Sequence, residues 1–188
     1  MITNRIKNST YNDASIPMPS APTISTPLHV EGENANVRVV DLPAGDNEYL
    51  TLKISAHPTD QGAVLYKWKK YSYDPFTCEY VGPNSIEDGI SIAYSPVSTI
   101  DESDIYYKKS LVNGVEFFEP VDVETILAKN NGEYSYDETE NGFLEKDSVD
   151  SYITLYKKYS TAQVNSVGIY TVDVGARYQT NSIDVKMN

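Results

Sequence analysis

The sequence predicts an all-β fold, an antiparallel sandwich built from short strands. Three observations support this prediction: several segments alternate apolar with polar residues, the only tryptophan lies within one of them, and a Gly-x-Tyr triplet leads into another near the C-terminus. Alternation with a period of two is typical of a strand that buries one face. With 188 residues, of which 40% are hydrophobic, the chain is long enough to enclose a core.

The strand pattern is clearest at residues 50–56, where leucine, leucine, isoleucine and alanine alternate with polar residues. The segment 64–69 contains Trp68 with lysines on the opposite face, which predicts a second strand with its tryptophan in the core. Further strands are predicted at residues 37–40, 153–155, 170–174 and 183–187.

The C-terminal segment, with Gly168, Tyr170 and Val172, resembles strands F and G of an immunoglobulin-like sandwich. In that family a tyrosine at the start of strand F bonds back to the chain upstream, and a strand C tryptophan lies in the core. The resemblance implies these roles for Tyr170 and Trp68. It also implies that no disulfide joins the sheets, because Val172 stands where the family often has a cysteine. Another β-sandwich or a jelly roll is the alternative fold.

The resemblance covers residues 33–72 and 150–188, so that residues 31–188 form a sandwich with an enlarged C-to-E insertion at about residues 72–150. The insertion has helix signals: Asp122 precedes residues 123–129, and Gly132 follows. We therefore expect one short helix there. Short strands are expected at residues 79–81, 90–92, 105–107 and 115–118.

Residues 1–30 are predicted to be an extended arm, because four prolines fall between residues 17 and 27 among serines and threonines. Such a segment has too few large apolar residues to fold alone. We expect it to form no element within its own domain and to be ordered by other chains. The predicted anchors are the apolar Ile2, Ile6, Ile16, Met18 and Ile24 and the basic Arg5 and Lys7.

Composition excludes several classes of function. The formal net charge of −12 argues against nucleic acid as a partner, since phosphate binding requires a basic surface. No long apolar run predicts a transmembrane span, and the first residues lack a secretory signal. Cys78 is the only cysteine, which excludes an internal disulfide, and we expect it to be a small packing residue. The acidic stretch 133–150 matches no calcium-binding loop, so neither a metal nor a cofactor is predicted.

The sixteen tyrosines indicate a contact surface, because tyrosine is enriched at interfaces. The predicted surface, for protein or glycan, comprises Tyr106, Tyr107, Tyr134 and Tyr136. No nucleophile motif or set of metal ligands surrounds the two histidines, so no catalytic residue is predicted and the chain is not expected to be an enzyme. An enzyme with its site in residues 72–150 is the remaining alternative of that class.

Disulfide-free immunoglobulin-like sandwiches on acidic chains without a signal peptide resemble the accessory domains of tailed-bacteriophage virions. The resemblance implies a non-enzymatic virion structural protein, a capsid decoration or head-fibre component assembled in the host cytoplasm and anchored by residues 1–30. Its partners would be other virion proteins of the capsid, neck or tail, or further copies of itself, with host-surface glycans as additional ligands. The alternative is a carbohydrate-binding module that uses exposed tyrosines.

Overall fold

The computed structural model describes residues 20–59, 63–175 and 179–186, and in this part the chain is almost entirely β. One short helix, α1 (Val123–Ile126), is capped by Asp122, whose side chain accepts a hydrogen bond from the backbone N–H of Glu124. The strands are β1 (Thr23–Val30), β2 (Val39–Asp41), β3 (Leu50–His57), β4 (Tyr66–Asp74), β5 (Glu79–Ser85), β6 (Ile90–Pro96), β7 (Tyr106–Val112), β8 (Val115–Val121), β9 (Lys129–Asn130), β10 (Glu133–Tyr134), β11 (Tyr136–Asp137), β12 (Gly142–Leu144), β13 (Tyr152–Ile153), β14 (Tyr156–Val164), β15 (Gly168–Val174) and β16 (Gln179–Lys186).

Two sheets face each other across the main core. In sheet A, β1 pairs with β3 and β3 with β14, while β6 pairs along the opposite edge of β14. The β7–β8 hairpin joins the same sheet where Tyr107 pairs with Tyr156. Sheet B has the order β2-β16-β15-β4-β5 and is antiparallel except for the parallel pair β2 and β16. The expected all-β sandwich without a disulfide is therefore present in the described chain.

The main core lies between the sheets and contains Trp68, Tyr170 and Val172, as their alternation predicted. Its remaining buried members are Leu28, Val30, Leu52, Ile54, Ala162, Val164, Val174, Ile183 and Val185. Tyr170 donates its hydroxyl hydrogen to the carbonyl oxygen of Ser166 at 2.7 Å, the upstream hydrogen bond expected of this tyrosine.

Residues 97–155 build a second, smaller core beside sheet A, around buried Val123, Leu127, Phe143 and Leu155. Three short pairings surround it: β9 with β10, β11 with β12, and β12 with β13. A buried ion pair, 2.7 Å between Lys157 Nζ and Asp104 Oδ2, attaches this part to β14. The predicted helix starts as expected at Asp122 but ends at Ile126, because residues 129–134 form a hairpin instead.

The prediction that residues 1–30 form no element in their own domain is wrong for residues 23–30. They form β1, which pairs with β3 from Thr23 opposite His57 to Val30 opposite Leu52. Leu28 and Val30 are buried in the main core. The register shifts between Ile24 and Thr26 and again between Thr26 and His29, a stretch that contains Pro27. An edge strand tolerates proline at such an irregularity, because no neighbour requires its missing N–H.

Two predicted strands are shifted along the chain. The strand expected at residues 37–40 is β2, three residues at the edge of sheet B, and the first strand of the sandwich is β1. The strand expected at residues 153–155 begins later, at Tyr156. Leu155 and Ile153 belong to the second core, while the small residues Ser160 and Ala162 face Trp68 and the main core.

Outer strands of both sheets carry features that oppose strand addition. Among the described strands, β1, β2, β5, β6 and β8 each pair along one edge only. β2 has only three residues, and each of the others contains a proline, which cannot donate a backbone hydrogen bond: Pro27, Pro83, Pro96 and Pro120. Contacts with other chains are therefore expected through side chains and not through sheet extension.

Candidate functional site

The outer face of sheet B presents a set of outward-facing tyrosines. Trp68 points into the core, so the alternation of β4 turns Tyr71 and Tyr73 to the opposite face. Tyr80 on β5 pairs with Tyr73, and their ring centroids lie 5.5 Å apart in an edge-to-face arrangement. Ile169 is the neighbour of Tyr71 on β15. We call these four residues the tyrosine face.

Charged groups beside the tyrosine face are paired. Lys69 Nζ lies 2.6 Å from Asp173 Oδ2, and the Thr180 hydroxyl donates to Asp173 Oδ1 at 2.8 Å. Burial alone would raise the pKa of Asp173, but the hydrogen bonds from Lys69 and Thr180 and the positive charge of Lys69 outweigh burial and lower it. The Tyr80 hydroxyl donates to Asp184 Oδ1 at 3.3 Å; desolvation and then this carboxylate raise the pKa of Tyr80.

An apolar tip adjoins the tyrosine face at the β4–β5 turn. Phe76, in this turn, is 97% exposed although it is large and apolar. Cys78 lies in the same turn and is exposed with a φ of 57°, so the expectation that it is a packing residue is wrong. Exposed apolar side chains beside aromatic rings are typical of a surface that contacts another molecule.

The β7–β8 hairpin is a second exposed apolar element. Its turn residues Asn113 and Gly114 both have positive φ, as a tight two-residue hairpin requires. Near the turn, four large apolar residues are exposed: Leu111, Val112, Val115 and Phe117. The hairpin's lysines are paired across it, with Lys109 3.2 Å from Glu116 and Lys108 3.9 Å from Glu119.

An aromatic cluster holds this hairpin against sheet A. Phe118 stacks on Tyr94 with ring centroids 3.9 Å apart, and Tyr156 meets the same phenylalanine edge-on at 5.2 Å. Tyr107 contacts Tyr94 edge-on at 5.3 Å, and burial raises its pKa. This predicted surface tyrosine therefore supports the hairpin's attachment to the sheet.

The other three predicted surface tyrosines lie in the second core. Tyr106 is buried, and its hydroxyl accepts a hydrogen bond from the Asp101 backbone N–H at 2.8 Å. Tyr136 contacts Phe143 with centroids 5.0 Å apart, and the Tyr134 hydroxyl is buried without a hydrogen-bond partner in the described structure. These rings form no shared platform, because the short strands of residues 129–153 need them to fill a small core.

Most of the predicted anchors lie outside the described residues: Ile2, Arg5, Ile6, Lys7, Ile16 and Met18. Ile24 is described, and it packs against the main core of its own chain. Its predicted role as an anchor on a partner is corrected accordingly, because β1 is a strand of the sandwich.

No catalytic constellation is found among the described residues. His29 Nδ1 lies 2.9 Å from the carbonyl oxygen of Pro27, and His57 Nδ1 lies 3.3 Å from that of Pro58, both local backbone contacts. In the described part of the chain, no three His, Cys, Asp or Glu residues are grouped so that they could hold a metal ion. Nor does that part contain a helix with the length and apolar content needed to cross a lipid bilayer.

Comparisons with protein-family models, curated proteins and solved structures found no match. The function is therefore inferred from the geometry of this chain. Sequence reasoning missed the tyrosine face, although a local signal for it exists: Tyr71 and Tyr73 stand at odd spacings from the core residue Trp68.

Proposed function

We propose that this chain is a non-enzymatic, immunoglobulin-like binding module. The strand order supports this proposal: β1, β3, β14 and β6 correspond to strands A, B, E and D, and β16, β15, β4 and β5 to G, F, C and an added edge strand. The hydrogen bond from the Tyr170 hydroxyl to the Ser166 carbonyl resembles the corner of that family before strand F, which also supports the proposal.

The tyrosine face is the observation that carries the binding role. Tyr73 and Tyr80 are 42% and 38% exposed on the outer face of a five-stranded sheet, and exposed Phe76 extends the surface. Tyrosine rings bury a large area at low entropic cost, which suits them to interface centres. The paired Lys69 and Asp173 place no unbalanced charge beside the rings. The expected ligand of this face is another protein.

We further propose that the module is a structural protein of a bacteriophage virion, a capsid decoration or head-fibre component. The net charge of −12 and the proline-bearing edge strands favour solubility when many copies are displayed close together. The chain enters the sandwich where Thr23 pairs with His57, next to Tyr66, whose hydroxyl is 3.3 Å from the Ala56 carbonyl. β4 begins at this end of the sandwich, and the β4–β5 turn with Phe76 lies at the other end. If residues before 20 attach the chain to the particle, Phe76 therefore points away from it.

Quantitative mass spectrometry of purified particles tests the virion proposal. We expect a fixed copy number per particle, and a chain deleted for residues 1–19 should remain folded but be lost from the particle. The deletion must stop before β1, because removing residues 23–30 would take an edge strand from the sandwich. The variant Tyr73→Ala/Tyr80→Ala with an intact N-terminus is the matched control for anchoring and should still be incorporated. Absence from particles, or full incorporation of the deleted chain, would contradict the anchoring role.

Carbohydrate binding is the second candidate function, but not through the four tyrosines that the sequence indicated, since three of them lie in the second core. The tyrosines that a sugar would contact instead are Tyr73 and Tyr80 of the tyrosine face, which are both exposed. Binding of a bacterial-surface glycan array by the whole chain, lost in Tyr73→Ala/Tyr80→Ala, would favour this function over protein binding.

A further inference from the structure

A separate cleft lies at the end of the sandwich opposite the chain's entry into it. It has a volume of about 520 Å³ and separates the loop after β5 from the turn between β14 and β15. Tyr49, 53% exposed, forms part of its lining, and Tyr170 and Val164 of the main core close its apolar side. The tyrosine face on the outside of sheet B does not contribute to it.

Backbone hydrogen bonds hold both walls in place. Gln163 N–H donates to the Gly89 carbonyl at 2.9 Å, and Ile86 N–H donates to the Trp68 carbonyl at 3.0 Å. Gly89 has a φ of +74°, and a Cβ there would lie 2.9 Å from the Gln163 carbonyl oxygen, so only glycine fits this close approach. The cleft is therefore formed before any ligand binds, which lowers the entropic cost of binding.

Polar side chains converge on the cleft. Lys70 Nζ donates to Ser166 Oγ at 2.5 Å and lies 5.5 Å from the centroid of the Tyr170 ring, which fixes the amine beside the turn. Four further lining side chains are exposed to solvent and form no hydrogen bond or ion pair within the described structure: Glu87, Asp88, Gln163 and Asn165. Two carboxylates and two amides supply acceptors and donors in a small space, which suits them to orienting a polar ligand.

The charges of the lining restrict the class of ligand. One lysine faces two carboxylates, Glu87 and Asp88, and the whole chain carries −12, so phosphate and other anions are disfavoured. The described residues hold no group of three metal-binding side chains, which removes a ligand set for a divalent cation. An apolar ligand would leave the carboxylates and amides desolvated without partners. A neutral ligand with many hydroxyl groups satisfies both the donors and the acceptors.

We propose that this cleft binds a neutral saccharide, with one sugar ring against Tyr49 and its hydroxyl groups bonded to Glu87, Asp88 and Asn165. Aromatic side chains offer a flat apolar surface to the sugar, and the carboxylates and amide provide the directional bonds that select it. This site goes beyond the proposed protein-binding function and does not depend on it.

NMR titration of the whole chain with N-acetylglucosamine, galactose and maltose tests the proposal, with trilysine as a probe for cationic peptides. We expect at least one sugar to shift the signals of Tyr49, residues 85–89 and residues 163–166, with a Kd on the order of 1 mM. Tyr49→Ala and Asn165→Ala should each weaken binding by about tenfold. Tyr80→Ala, an exposed tyrosine on another surface, is the matched control and should bind as the wild type does.

Three outcomes would overturn the proposal: no shift with any of the sugars at about 50 mM, shifts centred on Tyr73 and Tyr80, or binding of trilysine alone. If Tyr49→Ala unfolds the chain, its NMR spectrum will show this, and Asn165→Ala then becomes the variant that tests the site. Incorporation of Asn165→Ala into particles is expected to be normal, so failure of this site is distinguishable from failure of the virion proposal.

Discussion

Trp68 on sheet B donates its indole N–H to the hydroxyl of Ser160 on sheet A, and the two atoms lie 2.9 Å apart within the main core. Both residues are almost completely buried. The contact explains why a serine occupies a core position of β14: a buried indole N–H needs an acceptor, and a small side chain leaves room for the ring. The hydrogen bond links the two sheets directly within the main core.

We expect Trp68→Ala to lower the free energy of unfolding by about 3–5 kcal/mol, because it empties a large buried site. Urea denaturation followed by circular dichroism measures this, since the variant has no tryptophan for fluorescence. Phe76→Ala, at an exposed residue, is the control and should change stability by less than about 0.5 kcal/mol. A loss below about 1 kcal/mol in Trp68→Ala would contradict the role of this side chain in the core.

Ser160→Ala should cost about 1–3 kcal/mol, because the indole N–H of Trp68 then lies buried without an acceptor. Trp68→Phe removes the donor as well as part of the ring, so the double variant separates the hydrogen bond from packing. If the two substitutions have fully additive costs, the hydrogen bond between the sheets contributes nothing measurable.

Tyr170→Phe isolates the corner hydrogen bond, because it removes only the hydroxyl that donates to the Ser166 carbonyl. We expect a loss of about 1 kcal/mol in the free energy of unfolding. The loss should be accompanied by faster hydrogen exchange in residues 165–168, since the hydroxyl holds this turn. Tyr80→Phe, on the exposed face, is the matched control. Equal effects of the two substitutions would argue against a special role for the corner.

The ion pair of Asp173 and Lys69 predicts a pH dependence of stability. In the folded chain the pKa of Asp173 lies below the ordinary value of 3.8. The carboxylate therefore stabilises the fold above that value, and this contribution disappears as the pH falls through the folded pKa. The stability difference between the wild type and Asp173→Asn should therefore be largest near neutral pH and shrink below about pH 4. Urea denaturation across this range measures it.

Lys69→Met is the partner variant in this test. It removes the cation, so burial should then raise the pKa of Asp173, which carbon-detected NMR of the carboxyl group reports directly. If the stability difference between wild type and Asp173→Asn stays constant from pH 7 to pH 3, the carboxylate is not stabilised by its partners in the folded chain.

Proline at the sheet edges predicts a solubility effect. Pro96→Val and Pro120→Val restore a backbone N–H and add a β-branched residue on the edge strands β6 and β8. We expect both variants to form larger species than the wild type at about 100 μM protein, as measured by light scattering. Pro75→Ala, in the β4–β5 turn, is the control and should behave as the wild type does. If light scattering gives the same size for both edge variants as for the wild type, features other than these prolines prevent association of the edges.

Several features of the fold could be predicted because they depend on neighbouring residues alone. Side chains alternate across any strand, so the burial of Trp68, Tyr170 and Val172 followed from their positions in alternating segments. The cap at Asp122 is equally local, because its side chain reaches only to Glu124. The sequence therefore determined the all-β class, the core faces of the long strands and the start of the helix.

Tertiary structure decided which of these strands meet and which tyrosines stay exposed. Thr23–Val30 has the composition of a linker, yet pairing with β3 and burial of Leu28 make it a strand. Tyr106 and Tyr73 both stand in alternating, tyrosine-rich segments, but residues 97–155 close over the first, whereas the second remains 42% exposed on the outer face of sheet B. Whether a side chain is buried depends on which distant part of the chain packs against it. Pairing between distant strands likewise depends on the packing of whole sheets, which no local sequence pattern encodes.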